Sequence, residues 1–125
     1  MRIGERNMIK SYRDLKVYQN SYSLALQVHK MTQEYPGYER YEIGRQLRKA
    51  AFSIPMNISE GYGKKESEAE FKRFLRMSLG SCNEVQVLID MSKDLQYINE
   101  EAHKELWENY ELLGKQISTL IVKWS

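Results

Sequence analysis

Gln46-Leu47-Arg48-Lys49-Ala50-Ala51-Phe52-Ser53-Ile54-Pro55-Met56-Asn57-Ile58-Ser59-Glu60-Gly61 carries an apolar stripe with a proline inside it. Leu47, Ala50, Ala51, Ile54 and Ile58 recur at helical spacing, and the two alanines permit a close helix neighbour. Pro55 removes one backbone hydrogen bond and crowds the preceding turn, so the stripe reads in one of two ways. Either the helix ends at Ser53, or it kinks and continues. A helix ending at Ser53 leaves Ile58 without a periodic role. The reading is therefore one kinked helix from about Glu39 to Ser59.

Outward from this stretch, the same period recurs on both sides. Val17, Ser21, Leu24, Val28, Met31 and Tyr35 alternate steps of four and three, with Leu15, Tyr18, Tyr22 and Ala25 widening the apolar face. Ser11 and Asp14 mark its start. Ser67 and Glu70 form a capping box for a third helix, whose seam runs Phe71, Leu75, Ser78, Cys82, Val85, Ile89 and Ser92. Asn99 is an N-cap for a fourth, followed by Glu100 and Glu101 against the positive end of the helix dipole. Its seam is Leu106, Tyr110, Leu113, Ile117, Leu120 and Trp124. Breaks fall at Pro36-Gly37, Gly61-Tyr62-Gly63 and Asn99, and strand signals are absent. The fold class predicted is all-α, an antiparallel up-down-up-down four-helix bundle over residues 11–125, with a flexible N-terminus over 1–10.

The composition bounds what such a bundle can do. The chain has 125 residues, of which 42% are hydrophobic, so it suits one domain with a real core. One cysteine, Cys82, excludes an intrachain disulfide scaffold and a multi-cysteine metal cage. No uninterrupted apolar run exceeds three residues, as in Val87-Leu88-Ile89, so no membrane span is expected. Met1-Arg2-Ile3-Gly4-Glu5-Arg6 has no apolar signal region, and the expected location is cytoplasmic. Net charge is +2, unevenly spread: residues 1–39 carry +2, residues 40–76 carry +4 and residues 77–125 carry −4. A basic middle and an acidic C-terminal third suit either a polyanion or complementary faces between subunits.

The stretch quoted above, with Tyr12-Arg13-Asp14-Leu15-Lys16-Val17-Tyr18, Glu70-Phe71-Lys72-Arg73-Phe74-Leu75 and Gly80-Ser81, resembles the four-helix-bundle proteins encoded in intervening sequences of bacterial 23S ribosomal RNA genes. The family pattern reads Q-L-R-R-A-A-x-S-I-P-x-N-I-A-E-G, then a capped E-F-x-R-F-L, then G-S. Ser59 stands where alanine is common, and Cys82-Asn83 where leucine and a polar residue are frequent. The resemblance implies a cytoplasmic bacterial bundle that assembles into homopentamers, with no catalytic activity established for the class. The accessory variability determinant of diversity-generating retroelements, a basic pentamer that binds nucleic acid, is similar at the level of fold alone.

Candidate nucleic-acid-binding residues are Arg45, Arg48, Lys49, Tyr62, Lys64, Lys65, Lys72, Arg73 and Arg76. Arg45, Arg48 and Lys49 share a helical face, as do Arg73 and Arg76, while Lys64-Lys65 lies in the link between these helices. Merged near that turn, they would form the cationic patch that phosphate neutralisation needs. Tyr62 beside the lysines suits stacking on an unpaired base. The competing reading is a solvated face neutralised by Glu66, Glu68 and Glu70, or paired between subunits with the acidic fourth helix. Ser53, Asn57, Glu60 and Ser81 read as a structural polar cluster that satisfies carbonyls freed by Pro55 and ties the second helix to the third.

Enzyme chemistry finds no purchase in the sequence. His29 and His103 sit on different helices, and Glu-x-x-His occurs once, whereas a di-iron bundle needs it twice. No catalytic residues, cofactor or metal are expected. The expected partners are further copies of the chain, RNA or DNA, or a nucleic-acid-processing protein. A protein-binding scaffold with no nucleic-acid role is the alternative.

Overall fold

The computed structural model describes residues 8–125. Four long helices follow one another: α1 (Lys16–Thr32), α2 (Ile43–Tyr62), α3 (Glu68–Asp94) and α4 (Glu100–Lys123). A single 3-10 turn (Tyr12–Asp14) precedes α1, and a one-turn helix (Gly37–Arg40) lies between α1 and α2. No strand occurs among the described residues. The all-α class and the four-helix architecture stand as expected. Part of the expected flexible N-terminus, residues 1–7, lies outside the described residues. Ile9 is half-buried and packs against the core.

Neighbouring helices run antiparallel. Ser53 lies against Ser81 and Ile54 against Ser78 along α2 and α3, while Gln86 faces Trp107 and Asp90 faces His103 along α3 and α4. α2 packs on α1 and α3, α4 packs on α3 and more sparsely on α1, and α2 and α4 occupy opposite corners. The core is the set of seams read above: Val28, Leu47, Ala51, Ile54, Ile58, Phe71, Leu75, Val85, Ile89, Tyr110 and Ile117 are all at or near zero exposure. Trp124 closes one end, its ring edge-on to Phe71 at 4.8 Å and to Tyr62 at 6.5 Å.

Helix boundaries differ from the sequence reading in three places. The Ser11–Asp14 box does form, with the Asp14 carboxylate accepting from the Ser11 and Lys10 amides, but it caps the 3-10 turn. Leu15 then turns extended, and α1 starts at Lys16 and spans 17 residues. The segment 37–42 is not the start of α2; Glu42 departs from helical angles and α2 begins at Ile43. At its other end α2 passes unbroken through Pro55 and continues to Tyr62. There Gly61 matters, since a Cβ at that position would sit 2.6 Å from Phe74 Cβ. The third and fourth helices start where expected, with Ser67 accepting from the Glu70 amide and Asn99 from the Ala102 amide. The returning half of the Ser67–Glu70 box does not form, since the Ser67 amide bonds the Lys64 carbonyl and the Glu70 carboxylate takes Arg73.

Candidate nucleic-acid interface

The nine candidate residues do not merge into one patch. Arg45 and Lys49 are exposed on the outer face of α2. Seventeen residues of helix separate Arg45 from Tyr62 and thirteen separate Lys49 from it, so the two lie about 25 Å and about 20 Å from the α2–α3 turn. Arg48 is half-buried and serves the fold: its guanidinium donates to Thr32 Oγ1 and to the Arg40 carbonyl, each at 2.9 Å. One side chain thus ties the end of α1 and the one-turn helix onto α2. Tyr62 is 7% exposed, with Phe71 edge-on to it, Trp124 beyond and the Lys65 ammonium 4.5 Å from its centroid. The base-stacking role read from the sequence is therefore not available to Tyr62, because its ring belongs to the core.

What remains together is a cationic group at the α2–α3 turn: Lys64, Lys65, Lys72, Arg73 and Arg76. Phe74 organises two of them, with Lys64 Nζ 4.8 Å and Arg73 Cζ 4.6 Å from its ring centroid. The neutralisation by Glu68 and Glu70 also occurs. Lys72 pairs with Glu68 at 2.7 Å, Arg73 with Glu70 at 2.8 Å, and Lys64 stands 3.9 Å from Glu60. The hydrogen bond from Arg73 holds the Glu70 carboxyl below its ordinary value. Arg76 is exposed with no ion-pair partner among the described residues.

The polar cluster is real in three of its four members. The Ser53 and Ser81 hydroxyls share a hydrogen bond of 2.6 Å, the Ser53 hydroxyl lies 2.7 Å from the Ala50 carbonyl, and Asn57 donates to the Ser53 carbonyl. Ser78 adds a donation to the Ile54 carbonyl at 3.0 Å, a second stitch between α2 and α3. The carbonyls served are those of Ala50, Ser53 and Ile54, not that of Ala51, the one Pro55 deprives of its N–H donor. Glu60 is the exception: it points outward beside Lys64 with its side chain 60% exposed.

Several exposed apolar side chains escaped the sequence reading. Tyr22, read as flanking a core seam, is 51% exposed, and it joins Leu26, Phe52 and Met56 along a groove of about 300 Å³ between α1 and α2. Average hydropathy could not find them; their positions opposite the buried stripe of each helix could have. Among the described residues there is no group of three or more His, Cys, Asp or Glu that could hold a metal, and no helix is long and apolar enough to cross a membrane.

The antiparallel bundle, its proline-containing second helix and its serine-stitched α2–α3 pair define a small all-helical module. The family model for 23S rRNA-intervening sequence protein matches residues 13–119, and the chain belongs to that family. A solved structure with the same fold is that of a protein of unknown function from the S23 ribosomal protein family of Bacteroides thetaiotaomicron VPI-5482. It is 19% identical, with a TM-score of 0.78, over 86% of this chain and 96% of that one. No curated protein matches.

Proposed function

We propose that the chain is a non-catalytic binding module that acts as an oligomer and meets nucleic acid through its α2–α3 end. The observation that supports this reading is the concentration of Lys64, Lys65, Lys72, Arg73 and Arg76 over the turn and the first turns of α3. The carboxylate partners of Lys64, Lys72 and Arg73 sit one helical turn away and partly in solvent. Pairs of that kind are worth only about 0.3–0.5 kcal/mol, so a phosphate displaces them at small cost. Glu60, Glu66, Glu68 and Glu70 leave the stretch with a net charge of +1, so a single copy binds weakly and without sequence readout. Repetition of the patch by self-assembly supplies avidity.

Fluorescence anisotropy with short labelled RNA and DNA, at two salt concentrations, tests the reading on wild type and on Arg73→Glu/Arg76→Glu. The expected result is binding at low salt that falls steeply as salt rises and is lost in the variant with its helicity intact. An oligomer that ignores both nucleic acids at low salt overturns it. A second reading, a protein-binding scaffold, is favoured by the exposed groove at Tyr22, Leu26, Phe52 and Met56. Affinity for a protein partner there would hold across the same salt range.

A further inference from the structure

We infer that the outer faces of α2 and α4 are the two halves of one head-to-tail interface between copies of this chain. This rests on the self-assembling part of the reading above and makes no use of nucleic acid. α2 and α4 occupy opposite corners of the bundle, and their exposed faces flank α1 on either side: Phe52 and Met56 border the groove between α1 and α2, Leu112 the groove between α1 and α4. Along the α2 face, Arg45, Lys49, Phe52 and Met56 follow at steps of four, three and four, all exposed, basic first and apolar after. Along the α4 face, Glu105, Glu108 and Leu112 follow at steps of three and four, all exposed, acidic first and apolar after. None of the four charged residues has an ion-pair partner among the described residues.

Height decides that these patterns match. Alternate helices of an up-down bundle run in the same direction, so α2 and α4 are parallel. The pairs Ser53–Ser81 and Ile54–Ser78 fix α2 against α3, and Asp90–His103 and Gln86–Trp107 fix α3 against α4. Followed across the bundle, they put Arg45 level with Glu105, Lys49 between Glu108 and Leu112, and Phe52 level with Leu112, to within about one helical turn. A rotation about an axis parallel to the bundle preserves both height and direction. It therefore brings the basic pair of one copy against the acidic pair of the next and covers Phe52 and Leu112 together. Such an interface is heterologous, and it closes into a ring when the rotation does.

Light scattering over a dilution series tests this on wild type, Arg45→Glu/Lys49→Glu, Glu105→Lys/Glu108→Lys and the combined four-fold variant, with circular dichroism reporting the fold of each. The expected result is a wild-type oligomer, association weakened at least about tenfold in each double variant by like charges, and recovery in the combined variant. A wild type that stays a single chain overturns the proposal together with the self-assembling reading. An oligomer whose mass is unmoved by either double variant overturns the interface alone, and so does a combined variant that fails to recover.

Discussion

Cys82 lies midway along α3, 1% exposed, and burial alone pushes its thiol from the ordinary 9.0 up to about 12. The thiolate is the reactive form, so a shift of this size slows alkylation of the folded chain about a thousandfold at pH 8 relative to the unfolded chain. Equal labelling rates in buffer and in denaturant would sink the assignment. The linkage has a definite sign. The folded chain keeps its thiol proton up to about 12 while the unfolded chain loses it at 9.0, so stability falls as pH rises through that window and is unaffected below it. Cys82→Ala removes this share of the alkaline slope. The raised phenols of Tyr35 and Tyr110, also buried, contribute in the same direction. Burial of Cys82 was legible from its place in the seam. The role of Arg48 was not, because Thr32 and Arg40 become its neighbours only when α1 folds back onto α2.

At the scale of the element, caps explain which boundaries could be read. Ser67 and Asn99 announce α3 and α4 because a side chain supplies the first hydrogen bond locally. The end of α3 carries no such signal. It closes with Gln96 in the left-handed region, at φ 65°, the Tyr97 amide bonding the Ser92 carbonyl and the Gln96 amide the Lys93 carbonyl. This is the geometry that glycine ordinarily takes after a helix, and a glutamine gives no hint of it. Gln96 is exposed, so Gln96→Gly is expected to raise the unfolding free energy by about 0.5–1 kcal/mol in urea titrations. A loss of stability would mean that the glutamine side chain does more for the turn than its backbone costs.

For the molecule as a whole, the residue that follows α4 is what seals one end of the bundle. Trp124 follows the last helical residue, is 1% exposed, and joins α4 to α2 and α3 through Tyr62 and Phe71. Truncating a fully buried ring removes its contacts and leaves a cavity, so Trp124→Ala is expected to cost about 3–5 kcal/mol by thermal or urea unfolding. A cost below about 1 kcal/mol, the level of a surface substitution, would show that the end of the bundle is already closed without it. Tyr62 is held in the same aromatic cluster, which is why a residue beside two lysines is no platform for a base. Surface charge followed a similar course. The sequence could count the cations of the α2–α3 region, and the helix read over Glu39–Ser59 already set Arg45 and Lys49 several turns from the link; charge counted by segment hid that separation.

By itself, the sequence determined the helical class, the four seams, the caps of α3 and α4, and a polar link between the second and third helices. These are local or periodic properties: a stripe at helical spacing, or a side chain within one turn of the amide it serves. Only the tertiary structure decided that Arg48 is internal, that Tyr62 is core, that Glu60 stands apart from the serines, and that charges on α2 and α4 share a height. Each of these depends on which residues far apart in the chain come to the same level when antiparallel helices pack, and periodicity along one helix holds no record of the register across four.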